Sequence, residues 1–261
     1  MRRERAPIWI AVLAAIGAAF FVIPLAGLVV RTPWGDAVHS LTSTDTLEAL
    51  RLSLIASLSS TALSLVLGVP LAWVYARIEF PGRTVLRALT TLPMVLPPVV
   101  GGIALLLAFG RRGLLGSWLD TSFGITLPFT TAGVVFAETF VAMPFLVLTV
   151  EAGLRSMDRR YEDAARTLGA RRWTVFTRVT LPLIAPSLFA GAVLCWARAL
   201  GEFGATITFA GNFPGVTQTM PLAVYLLLET NPQGSFILSL ILLLVSLVVL
   251  VGLRHRWLGS A

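Results

Sequence analysis

EDAARTLGARRWTVFTRVTLP, residues 162–182, is a charged and amphipathic run set between long stretches of hydrocarbon. Ala164, Ala165 and Leu168 fall on one side of a helix, while Arg166, Arg171 and Arg172 are polar. Gly169 permits a sharp change of direction, Trp173, Val175, Phe176 and Val179 supply a second apolar face, and Pro182 opens the next hydrocarbon stretch. The pattern predicts helix, turn, helix on the inner surface of a membrane. On composition alone such a run fits a basic interfacial helix bound to anionic lipid.

The rest of the chain explains why a membrane is invoked. Of 261 residues 56% are hydrophobic and 13% charged, and the mean hydropathy is +0.85. A spanning helix needs ~20 consecutive apolar residues, because each backbone amide must be paired within the hydrocarbon. Six stretches qualify, at 8–30, 52–76, 88–109, 130–150, 183–209 and 234–253. The expected fold is an all-α polytopic membrane protein with six transmembrane helices.

Charge sets the expected orientation. With the N-terminus inside, Arg2, Arg3, Arg5, Arg77, Arg83, Arg87, Arg155, Arg159, Arg160, Arg166, Arg171, Arg172, Arg178, Arg254 and Arg256 all face the cytoplasm. Those are fifteen of the 20 basic residues, against Arg31, Arg51, Arg111 and Arg112 outside and Arg198 within a span. The positive-inside rule therefore places both termini in the cytoplasm. The net charge of +7 reads as topology, not as a nucleic-acid surface, since the arginines are spread between spans. The first apolar stretch, at about 23 residues, exceeds the ~7–15 of a cleaved signal core and reads as a retained helix.

Enzymatic chemistry finds no foothold. His39 and His255 fall on opposite sides of the membrane, Cys195 is a lone cysteine in an apolar helix, and no G-x-S-x-G or H-E-x-x-H occurs. All basic residues are arginines, so the lysine-dependent phosphate loop G-x-x-x-x-G-K-[ST] is absent and any ATP is hydrolysed by another subunit.

Within the spans, Pro93, Pro97, Pro98, Gly101 and Gly102 predict that the third helix is kinked or broken near its cytoplasmic half. Glu138, Arg198 and Glu202 are intramembrane charges, each needing a partner or water. Arg198 and Glu202 share a helix face, and matched depths in the fourth and fifth spans make a Glu138 to Arg198 ion pair a second expectation. Thr206, Thr208 and Asn212, with Thr217, Gln218 and Thr219, offer neutral donors along an anion path or simply permit close packing. An ion-coupled secondary transporter using Glu138 and Glu202 is the reading from a different class, and the missing internal repeat counts against it.

The spacing in the opening run discriminates further. Asp163-Ala164-Ala165, Gly169, Val179, Leu181 and Pro182 follow the pattern E-A-A-x3-G-x9-I-x-L-P and resemble the EAA loop of membrane subunits of binding-protein-dependent ABC importers. Asp163 stands where that family usually has Glu, with Glu162 just before it, and Val179 stands for Ile. The blocks 80–102, 110–116, 164–183 and 197–225 are similar to the molybdate permease (ModB-type) branch, "LPPVVGG" and "GEFGATITFAGNFPG" being the most specific.

The resemblance implies a type I importer, MetI-like transmembrane domain over residues 46–253. Residues 1–45 form an added helix and external loop, about 155–182 the coupling loop, and 254–261 a cytoplasmic tail. It further implies a homodimer in the bacterial cytoplasmic membrane, working with two copies of a cytoplasmic ATPase and an extracytoplasmic molybdate-binding protein. The cargo is molybdate, with tungstate left open and a sulfate or thiosulfate permease as the alternative. This chain itself carries no cofactor and no metal site, and ATP is used by the partner. Glu162, Asp163, Ala164, Ala165, Gly169, Arg171, Arg172, Trp173, Leu181 and Pro182 are the expected coupling residues, with Asp163 anchoring the loop.

Overall fold

Three helices meet where small residues let their backbones approach. In the computed structural model, which describes residues 7–258, α3 (Thr44–Arg77), α7 (Thr131–Ser156) and α10 (Leu181–Leu200) form the core. The buried face of α3 carries Ala49, Ser53, Ser57, Ser60, Ser64, Gly68, Ala72 and Ala76, spaced three or four apart, with Ala56 beside them. That spacing makes one smooth stripe, the usual contact surface between helices in lipid. Leu146 of α7 fills the space between the stripe and α10, fully buried. A Cβ on Gly68 would lie 3.2 Å from its Cδ2, and one on Gly191 3.1 Å from its Cδ1. Thr139 ties α7 to α3 by donating to Ser60 Oγ at 3.2 Å.

All regular structure among the described residues is helical. Five helices are long and apolar enough to cross a bilayer, or six if one bent pair counts as a single span. The first, α1 (Ile8–Arg31), lies at the outer edge of the bundle with none of its residues buried, and touches α13 (Pro232–Leu258). A short α2 (Ala37–Thr42) follows, within the segment expected as an external loop. The second span begins earlier than hydropathy indicates, at Thr44 instead of 52, because Thr46, Ala49 and Leu52 already pack against protein.

The third span is broken, as its prolines predict, and the break is sharp. No straight helix runs over 88–109; α4 (Arg83–Thr91), a 3₁₀ turn (Leu92–Met94) and α5 (Pro98–Phe109) replace it, with a bend of 119°. Pro97 is extended (ψ 131°), and proline disfavours the α region in the residue before it, so Pro97 and Pro98 together end the helix. α5 alone, at 12 residues, reaches only ~18 Å, short of the ~30 Å hydrocarbon core. A short α6 (Gly116–Phe123) then leads to α7.

The fifth span is also shifted. Its helix starts in the loop as α9 (Arg172–Val175), passes through a widened π turn (Phe176–Thr180) into α10, and stops at Leu200 instead of 209. Pro182 lacks the N–H that would bond Arg178, and its ring crowds that carbonyl, so the widened turn lets the helix continue. After a break at 201–203 the chain restarts as α11 (Gly204–Phe209), packed on α5. A helix the hydropathy pattern does not single out, α12 (Met220–Thr230), packs on α13. Arg2, Arg3, Arg5, the side chains of Arg254 and Arg256, and residues 259–261 lie outside the described residues.

Candidate functional site

The opening run folds as helix, turn, helix. α8 (Arg160–Thr167) ends at Leu168, Gly169 takes a left-handed φ of 82°, and the second arm is α9 running on into α10. Gly169 N–H bonds the Arg166 carbonyl at 2.9 Å and Ala170 N–H the Ala165 carbonyl at 3.0 Å, closing the helix end. A buried carboxylate within α8 holds this hairpin to the bundle. Glu162 is 5% exposed; its Oε1 accepts from Thr180 Oγ1 at 2.8 Å and from Arg77 Nη2 at 3.4 Å.

Glu162 thus ties α8 to the end of α3 and to the π turn. Asp163 points outward, 3.4 Å from the equally exposed Arg166, so within this chain the anchor is Glu162 and not Asp163. Beyond that anchor the surface is open. Ala164, Arg171 and Arg172 are exposed, and Leu168 and Trp173 are 88% and 73% exposed. Leu181 and Pro182 lie in the first turn of α10.

The intramembrane charges arrange differently from one expectation. Arg198 Nη2 pairs with Glu202 Oε2 at 2.6 Å, although Glu202 lies just past the end of α10, and no ion pair joins Arg198 to Glu138 among the described residues. The depth argument fails because it counted from a span end at 209, whereas α10 stops at Leu200. Glu202 also receives the Ala205 N–H on Oε1 at 2.8 Å, which starts α11. Glu138 is 1% exposed and its Oε2 has no hydrogen-bond partner.

Of the pathway candidates, Thr206 is fully buried with Oγ1 unpartnered. Thr208 donates to the Gly204 carbonyl at 2.8 Å, and Asn212 Oδ1 is buried without a partner. Sequence reasoning overlooked the hydroxyl row Ser53, Ser57, Ser60, Thr61 and Ser64, all buried on α3; its signal is the three-to-four spacing in "SLIASLSSTALS". It also overlooked the partner of α11. A Cβ on Gly102 of α5 would lie 2.6 Å from Thr208 Cβ and 3.0 Å from the Ala205 carbonyl.

That contact makes a local prediction. Gly102→Val is expected to push α5 from α11 and cost about 1–3 kcal/mol, the range for overpacking, lowering the melting temperature of the purified chain. Gly101→Ala, whose Cβ meets only the Phe140 ring edge at 3.3 Å, is expected to melt near wild type. Equal melting of Gly102→Val and wild type would mean that the two half-helices are not packed together.

A helical core of long apolar helices, with an exposed hairpin at one end, defines a membrane-spanning component. The chain belongs to the family described as binding-protein-dependent transport system inner membrane component, whose model matches residues 46–259. It is a multi-pass protein of the cytoplasmic membrane. Over 252 residues it is 48% identical to the molybdenum transport system permease protein ModB of Mycobacterium tuberculosis, covering 96% of this chain and 94% of that one. It is 37% identical over 226 residues to the sulfate transport system permease protein CysT of Escherichia coli, covering 85% and 81%. Its fold resembles a crystal structure of a bacterial ABC transporter involved in alginate import, with a TM-score of 0.74 at 19% identity, covering 95% and 94% of the two chains.

Proposed function

We propose that this chain is the membrane-spanning permease of an ATP-driven importer of molybdate, with a separate ATPase docking on residues 162–182. The observation that carries the coupling role is the hairpin itself, which is anchored from below by Glu162 and leaves Leu168 and Trp173 open to solvent. On the turn and second arm of a charged hairpin, such exposed apolar side chains are available to a docking partner. Both termini then lie in the cytoplasm, as the arginine distribution supports. Two copies form the translocation path, and an extracytoplasmic binding protein delivers the oxyanion.

The cargo assignment is supported by the higher identity to a molybdenum permease than to a sulfate permease, 48% against 37%. A dianion crossing the bilayer needs hydrogen-bond donors but no deep electrostatic well. Arg198 is already neutralised by Glu202, so neutral groups such as the unpartnered Thr206 hydroxyl are the donors left for it.

The test is ATP-driven uptake of labelled molybdate into vesicles holding this chain with its cognate ATPase and binding protein. Uptake should resist excess sulfate and be blind to a proton ionophore. Sulfate that abolishes uptake would reassign the cargo, and ionophore sensitivity would remove the ATP-driven reading.

A further inference from the structure

Four arginines converge at the end of the bundle that carries the hairpin. Arg77, Arg83, Arg155 and Arg159, with Ala76 and Glu79, line a cavity of about 450 Å³. Their charges are only partly answered. Arg77 pairs with Glu162 and Arg155 with Glu151 at 2.7 Å, but Glu151 is shared with Arg87 at 3.0 Å. Arg83 donates to the Tyr75 carbonyl and Arg159 to the Ala76 carbonyl, at 3.3 Å for the latter.

Those carbonyls belong to the last turn of α3, whose final acceptors have no helical partner. They orient the two guanidiniums without neutralising them. Among the lining residues only Glu79 is acidic, and a guanidinium has five N–H donors, so most remain uncommitted. Arg77 adds a further sign, its side chain 8% exposed and its Nε buried without a hydrogen-bond partner.

We propose that this cavity binds a tetrahedral oxyanion group, a phosphate, presented by an anionic phospholipid headgroup or by a free ion. Planar guanidinium forks match phosphate oxygens two at a time, which an ammonium does not. The cavity volume falls in the range that encloses a small ligand. Its position suits the lipid source. The neighbouring α4 exposes Val85, Leu86 and Leu89, an apolar edge that beds such a helix at headgroup depth. The site rests on the proposed orientation only for its assignment to the cytoplasmic leaflet.

The permease with its ATPase, in phosphatidylcholine nanodiscs, provides the test by melting temperature and by native mass spectrometry of retained lipid. Added phosphatidylglycerol that is retained and raises the melting temperature identifies the headgroup source. Inorganic phosphate that raises it in phosphatidylcholine alone identifies the free ion.

In either arm Arg159→Gln is expected to weaken the effect about tenfold while melting as wild type when no ligand is added, and Arg159→Lys to restore part of it. Glu79→Gln, which removes the lining carboxylate, is expected to strengthen it, a direction that misfolding does not produce. If neither lipid nor phosphate stabilises wild type more than Arg159→Gln, the site does not exist. Melting reports on this cavity whatever cargo the chain carries, so a failed uptake assay would not count against the phosphate site.

Discussion

Replacing Gly169 by tryptophan is expected to abolish ATP-driven uptake while leaving the chain folded and inserted. Gly169 adopts a φ of 82° between the two arms of the hairpin, and an ordinary L-residue held there costs roughly 1–2 kcal/mol. That strain alone would not unfold the bundle. No atom lies within 4 Å of the position a Cβ would take, so the chain itself has room for the ring. The ring would project from the same turn that exposes Leu168, into whatever docks there. A clash costing about 3 kcal/mol of docking energy lowers assembly about a hundredfold.

Gly169→Asn separates strain from obstruction, because asparagine tolerates the left-handed region and adds little bulk. It is expected to keep most of the uptake. The readouts are uptake, co-purification of the ATPase and membrane insertion of each variant. Full uptake by Gly169→Trp would mean that the hairpin is not the coupling element.

How much of this was legible in advance depended on whether a residue's role is set by its backbone or by its neighbours in space. Gly169 and Pro182 act on the backbone where they stand, so the hairpin could be read from spacing. The bend between α4 and α5 was legible in part for the same reason, since Pro97 and Pro98 forbid a straight helix, although its 119° size was not.

Hydropathy failed wherever the chain breaks within an apolar stretch. Residues 201–203 interrupt such a stretch, and the ion-pair assignment of Arg198 went wrong with the span end. Glu162 and Asp163 are adjacent carboxylates of nearly equal character. Only the distances from Arg77 and Thr180 reveal which one is buried. Likewise Gly102 reads as a flexible point until Thr208 is seen against it.

That buried carboxylate sets the second large effect. Glu162→Ala is expected to free α8 from the bundle, with a cost of about 3 kcal/mol. Removing one partner of a buried pair leaves an uncompensated charge and typically costs about 3–5 kcal/mol; the lower end applies because the hairpin lies at a surface. The stranded charge is Arg77, whose side chain is 8% exposed, and Thr180 Oγ1 loses its acceptor as well.

Asp163→Ala, by contrast, removes only an exposed contact with Arg166 and is expected to cost under about 1 kcal/mol. Two measurements separate the cases: melting temperature, and the rate of trypsin cleavage at the hairpin arginines. A double change, Arg77→Met with Glu162→Leu, should recover stability, because apolar replacement of a buried pair is often neutral. Whether it also recovers uptake decides what the ion pair is for. Recovered melting with lost uptake would make the pair a rigid strut that carries motion from the hairpin into α3 and α10, whereas recovery of both would leave it a packing device.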